Sequence, residues 1–254
     1  MTQFDLTRRR IIQAAGAGLL LPGLAPAVIA SVKDRPKMTD GVQSGDLQGD
    51  RAMVWSRSDR PSRMVVEWDT RSMFTQPRRT VSLLADQRTD FTARVELTGL
   101  PTDQAIFYRV FFEDAQTGVA SEPWFGHLRS VPQSRRDIRF VWSGDTVGQG
   151  FGINPEIGGM RIYEAMRLRL PDFFIHSGDT IYADGPVPAE VVTEGGRIWR
   201  NITTEEKSKV AETLDEYRGA YRYNLMDENL RRFNAEVPQI WQWDDHEVSN
   251  NWSP

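Results

Sequence analysis

Phe173-Phe-Ile-His-Ser-Gly-Asp-Thr-Ile-Tyr-Ala-Asp-Gly185 runs from a short apolar segment straight into Gly178-Asp179. Such a run, broken by glycine and followed by an aspartate, reads as a buried strand that ends in a loop. The pattern recurs on both sides. Ile138-Arg-Phe-Val-Trp-Ser143 leads into Gly144-Asp145, so Ser-Gly-Asp-Thr stands at both 143–146 and 177–180. Val237-Pro-Gln-Ile-Trp-Gln-Trp243 leads into Asp244-Asp245-His246-Glu247. Between the first two runs, Gly158 to Leu170 places Met160, Tyr163, Ala165, Met166 and Leu170 at helical spacing, and Pro171 stops it. Helix-favouring stretches from about Thr203 to Leu225 and from Glu228 to Phe233 separate the second run from the third. Strand–helix–strand–helix–strand predicts a parallel sheet with right-handed crossovers. Ligand crevices in such sheets open at the carboxyl ends of the strands, so Asp145, Asp179 and Asp244/Asp245 are expected to converge.

Upstream, the period changes. Arg51 to Ser56, Ser62 to Trp68, Phe91 to Leu97 and Phe107 to Glu113 alternate apolar and polar residues between Asp, Gly and Pro clusters. Leu97-Thr-Gly-Leu-Pro-Thr102 before Phe107-Tyr-Arg-Val resembles the turn into a late strand of an immunoglobulin- or fibronectin-like sandwich. The expected architecture is an α/β core over residues 138–254, preceded by a small all-β sandwich over 38–131.

Residues 1–30 read as an address. Thr7-Arg8-Arg9-Arg10-Ile11-Ile12 precedes an uncharged stretch to Ala30, with Ala25-Pro26-Ala27 and Val28-Ile29-Ala30 as cleavage points. The motif resembles a twin-arginine export signal, implying the twin-arginine machinery as partner and a periplasmic or secreted location. A membrane anchor is the alternative for Ile11 to Ala30, but Gly16, Gly18, Pro22, Gly23 and Pro26 favour a removable segment over a stable anchor.

Composition narrows the chemistry. The 254 residues are 39% hydrophobic and 26% charged, enough apolar content for a packed core. A net charge of -4 provides no broad basic face for nucleic acid. With no cysteine, disulfides, thiol catalysis and cysteine-held metal clusters are excluded. Three histidines (His127, His176 and His246) cannot build a His-rich zinc site. Clustered carboxylates repel one another unless a cation neutralises them, and this donor set suits hard cations, Mn2+ or Mg2+ among them.

Phe140 to Asp145, Phe174 to Gly185 and Trp243-Asp-Asp-His-Glu-Val-Ser-Asn-Asn-Trp252 resemble the alkaline phosphatase D (PhoD-like) branch of the calcineurin-type metallophosphoesterases. Gly41-Val-Gln-Ser-Gly-Asp46, followed by Val54-Trp55-Ser-Arg57, resembles the opening of that family's N-terminal β domain. The resemblance implies a two-metal site, with Fe3+ and Ca2+ expected, that hydrolyses phosphate esters through a metal-activated water. It places Asp179 as the bridging carboxylate, Tyr182 as a tyrosinate ligand and Asp145 at the first ligand position. Asp245 would hold the second metal, with Asn250 or Asn251 as the alternative amide ligand or a substrate contact, while His246 acts on the phosphate. Two further His-containing motifs of that superfamily have no counterpart here. The resemblance therefore implies an N-terminal portion, with an open-edged sheet and a site that is incomplete on its own.

Other features have plainer readings. His176, inside a strand, is expected to be a core residue or to support the site from behind, and His127 to be structural. Tyr182 has packing as its alternative. Trp55 and Trp68 alternate in strands, as core residues do. Arg161 and Arg169 are read as surface charges. Gly148-Gln-Gly-Phe-Gly152 lacks the Lys-Ser/Thr of a phosphate loop and is read as a loop bordering the substrate. Two other functions stay open: a secreted binding protein that works through its β-sandwich, and an inert fragment that needs a missing half.

Overall fold

The computed structural model describes residues 34–253; the proposed export signal lies outside them. Strands β1 (Val42–Gln48), β2 (Arg51–Arg57), β3 (Ser62–Asp69), β4 (Arg78–Ala85), β5 (Thr92–Leu97), β6 (Ala105–Asp114) and β7 (Trp124–Arg129) come first. They are followed by β8 (Phe140–Ser143), helix α1 (Arg161–Arg167), β9 (Phe173–His176), β10 (Glu190–Val192) and β11 (Ile198–Arg200). Helices α2 (Leu214–Asn224) and α3 (Glu228–Glu236) then lead to β12 (Gln239–Trp241).

Two sheets share the first seven strands. One is antiparallel, in the order β4-β3-β6-β7, and the other is mixed, in the order β5-β2-β1-β12-β9-β8. Alternation along β2 and β6 sends Ala52, Val54, Ile106, Tyr108, Val110 and Phe112 into one core with Val42, Val66, Trp68, Leu97 and Leu128. Each large apolar side chain withdrawn from water there contributes about 1.5–3 kcal/mol. The sheet does not stop where the alternating pattern ends. β1 lies parallel to β12, Gly45 opposite Gln239, and a Cβ on Gly45 would come within 2.7 Å of the Gln239 carbonyl oxygen. The missing side chain lets the N-terminal strands join the later ones.

The three later strands are parallel as expected, with β9 in the middle: Ser143 faces His176, and Trp241 faces His176 from the other side. One face of this trio packs Phe174 against Tyr163 and Met166 of α1 and Leu230 and Phe233 of α3. Register aligns Trp142, Ile175 and Ile240 on the opposite face, beside the stacked rings of Phe140 and Phe173. There Phe140, Trp142 and Ile240 are 53%, 68% and 52% exposed.

Several boundaries differ from the sequence expectation. α1 spans one turn less at each end, and Ala165 and Leu170 face outward. Gly158 and Gly159, both at positive φ, delay its start, and the N–H of Met160, just before the first turn, donates to Asp227 at 2.8 Å. The predicted helix from Thr203 begins only at Thr213, where a capping box with Glu216 satisfies the first turn. Residues 203–212 are irregular, and a short hairpin, β10–β11, fills the connection ahead of them. Among the described residues, no helix is long and apolar enough to cross a membrane.

Candidate active site

The Ser-Gly-Asp-Thr repeats meet side by side. The N–H of Asp145 donates to the Gly178 carbonyl at 3.1 Å, and that of Thr146 to the Asp179 carbonyl at 2.8 Å. Both aspartates sit at positive φ (56° and 54°), a conformation that Asp tolerates better than most residues. Each strand thus ends in the same sharp turn, and both carboxylates are thrown to the same side. Gly178 has φ 104°, and a Cβ there would collide with the Cβ of Asp244 and approach its backbone nitrogen to 2.9 Å. Only glycine lets the third strand end close against the second.

Five of the sequence-predicted residues come together. Ligand atoms of Asp179, Asp245 and His246 lie within 4.8 Å of one another. Asp145 and Tyr182 both lie near enough to the Asp179 carboxyl to act on its charge. The Tyr182 ring stacks on His246, with centroids 4.3 Å apart and planes at 28°. Gly148 presses on the same tyrosine, since a Cβ there would lie 2.6 Å from the ring. The glycine-rich loop is therefore a wall of the site. Asn250 and Asn251 contribute through the backbone: the Asn250 N–H donates to Asp184 at 2.7 Å, and that of Asn251 to Asp245.

The electrostatics follow from this crowding. Burial pushes the Asp179 carboxyl above the usual carboxylate range, and the neighbouring Asp145 pushes it further, against the opposing pull of Tyr182 and His246. Burial, and then the Asp179 carboxylate, drive the Tyr182 hydroxyl upward. Burial lowers the His246 imidazole, but Asp184, Asp179 and Asp245 together outweigh it and hold the ring above its ordinary value. Asp179 and Asp245 with His246, and Asp145 and Tyr182 beside Asp179, form a donor set that fits hard cations.

Three supporting residues escaped sequence reasoning. Asp184 holds His246 Nδ1 at 2.8 Å, which leaves Nε2 as the ring nitrogen free to act. Glu247, 2% exposed, accepts the backbone N–H groups of Asp179, Thr180 and Asp244, tying the second strand end to the third. Lys207, 3% exposed, is the third. His176 is buried with Nε2 on Thr146 Oγ1 at 2.8 Å, behind the cluster, and His127 lies in β7 against Phe107. Two clefts of about 780 Å3 each are lined by none of the clustered residues.

The parallel strands of a mixed sheet thus end in carboxylates beside a histidine. Residues 140–254 match the family model for PhoD-like phosphatase, and residues 23–132 match that for the PhoD-like phosphatase N-terminal domain. The chain belongs to the PhoD-like phosphatase family. It is 29% identical over 266 residues to alkaline phosphatase D of Bacillus subtilis (strain 168), an alignment covering 97% of this chain and 43% of that protein. A solved structure of PhoD matches with a TM-score of 0.68 at 24% identity, over 90% of this chain and 42% of that one. Purple acid phosphatase PPD1 from yellow lupin (Lupinus luteus) seeds matches with a TM-score of 0.51 at 13% identity, over 81% and 35%. At these identities the two structures speak for the fold alone. The chain spans less than half the length of the relatives it matches.

Proposed function

We propose that this chain carries the first part of an exported phosphate-ester hydrolase site. The observation that carries the reading is the meeting of Asp179, Asp245 and His246, with Asp145 and Tyr182 beside Asp179, in a PhoD-like chain. Two cations held by Asp145, Asp179, Tyr182 and Asp245, with Asn250 or Asn251 as a further donor, would supply charge neutralisation at the phosphate and a water acidic enough to ionise near neutral pH. Fe3+ and Ca2+ are the pair we infer from the family resemblance; the donors equally suit Mn2+ or Mg2+.

The remaining chemistry belongs to the chain. Asp184 keeps the proton on His246 Nδ1 when the ring is neutral and favours the doubly protonated ring. His246 is thereby poised to donate from Nε2 to a phosphate oxygen or to the leaving group. Asp179 also fixes its neighbour, accepting the His246 backbone N–H at 3.2 Å. We read residues 38–131 as an immunoglobulin- or fibronectin-like domain and residues 1–30 as a twin-arginine signal that takes the protein to the periplasm or beyond.

The test is metal content and hydrolysis of paired aryl phosphate mono- and diesters by the purified chain, beside Asp179→Asn. Bound metal, with turnover that vanishes in the variant, is the expected result. Metal-free protein without turnover would refute the reading for this chain.

A further inference from the structure

Lys207 stands on an irregular segment that no motif singles out. It is 3% exposed, and its ammonium makes no salt bridge among the described residues. Nζ donates instead to two backbone carbonyls, those of Tyr182 at 2.5 Å and Gly185 at 2.7 Å. A buried ammonium is unfavourable unless its protons are well satisfied, so simple packing would be better served by an apolar side chain. Burial accordingly lowers this amine to about 8, with the Asp184 charge pulling the other way.

The two carbonyls bound by Lys207 bracket one turn, closed across its own ends by the Gly185 N–H on the Tyr182 carbonyl at 3.3 Å. That turn carries Tyr182, whose ring lies on His246, and Asp184, whose carboxylate holds His246 Nδ1. Its middle is pinned from two sides. The Ala183 N–H donates to the His246 carbonyl at 2.9 Å, and the Ala183 carbonyl accepts from Ala211 at 2.8 Å. The Lys207 carbonyl also accepts from Val187 at 2.7 Å, so the lysine backbone is fixed to the same loop.

We propose that Lys207 is a positioning residue of the hydrolytic site: by bridging the Tyr182 and Gly185 carbonyls, it sets the turn that presents Tyr182 and Asp184 to His246. It acts through these residues and does not itself touch substrate. Its kinetic part rests on the hydrolase reading above; its structural part does not.

Lys207→Met, Lys207→Gln and, as a control, Lys209→Met in the full chain test this. Lys209 is an exposed lysine paired with Glu212 and Glu216. The first readout is the NMR shift of the His246 ring protons in metal-free protein, which the stacked Tyr182 ring displaces. The second is the separate measurement of kcat and KM on an aryl phosphate, alongside thermal unfolding. In Lys207→Met the displacement is expected to disappear, with kcat lowered about tenfold or more and KM within about threefold of wild type. Lys209→Met should match wild type in every readout. A Lys207→Met protein that melts earlier but keeps the wild-type His246 shifts and kcat overturns the proposal, leaving Lys207 a packing residue. If Lys207→Met does not fold, Lys207→Gln decides: one donor group for two carbonyls should move the His246 shifts part of the way, and unmoved shifts overturn the proposal. Should wild type hydrolyse nothing, the hydrolase reading fails, and the NMR comparison still decides the role of Lys207.

Discussion

Asp184 grips His246 from behind: its two carboxylate oxygens lie 2.8 and 2.9 Å from Nδ1, and the second also takes the Asn250 N–H at 2.7 Å. One carboxylate therefore orients the imidazole and anchors the turn after it. In Asp184→Asn the amide removes the carboxylate charge hydrogen-bonded to the ring. The His246 titration midpoint, followed by NMR, should fall. Hydrolysis should drop roughly 10–100-fold, as for other residues that orient an active histidine. An unmoved midpoint would remove Asp184 from the account.

Glu247→Gln tests the clamp between strand ends. The carboxylate serves three backbone donors, on Asp179, Thr180 and Asp244, whereas the amide has a single acceptor oxygen. Leaving buried N–H groups unpaired costs about 1–3 kcal/mol. For a chain of this size that corresponds to a fall in Tm of roughly 2–4 °C per kcal/mol. Calorimetry that finds an unchanged Tm would show that solvent replaces the clamp.

Gly178→Ala should be costlier than an average surface change. The new methyl group meets the Asp244 backbone, which cannot swing away as a side chain tip can, and φ 104° is unfavourable for alanine. A loss of about 1–3 kcal/mol in urea unfolding is expected, together with weaker metal binding by titration calorimetry. Gly49→Ala gives a comparison for the conformational part alone: its φ is 60°, and nothing lies within 4 Å of an added Cβ.

Alkaline stability has a built-in limit. Burial raises the Tyr163 hydroxyl from 10.0 to about 12, and burial with the Glu247 charge does the same for Tyr221. A group raised on folding contributes stability that is complete below its unfolded value and is lost as pH climbs through the folded one. The unfolding free energy should therefore decline between about pH 10 and 12. Tyr163→Phe should flatten part of that decline in urea titrations run across the range; an unchanged slope would assign the loss to other groups.

How far the sequence could be read depended on distance along the chain. Alternation locates β2, β3, β5 and β6 because one face of each is buried, but passes over β4, whose Leu83 is 87% exposed. The parallel trio and its carboxylates were legible because every strand announces itself by an apolar run and an aspartate. The late start of α2 was hidden by helix-favouring residues before Thr213, whose capping box with Glu216 opens the helix there. Asp184 and Glu247 were hidden for another reason. Each is one carboxylate among many, and its role depends on a partner 62 or 68 residues away. Their signal was position: Asp184 ends the string that contains Asp179 and Tyr182, and Glu247 follows His246 directly.

The face formed by Phe140, Trp142 and Ile240 has a consequence for anyone handling this polypeptide. Exposed apolar surface at the margin of a sheet attracts its like, and β8 offers a strand edge beside it that is unpaired among the described residues. Two molecules that meet there can join before either loses its fold. Clouding on warming should then begin at a lower temperature in concentrated samples than in dilute ones, whereas the melting of the interior would hold its place on the thermometer.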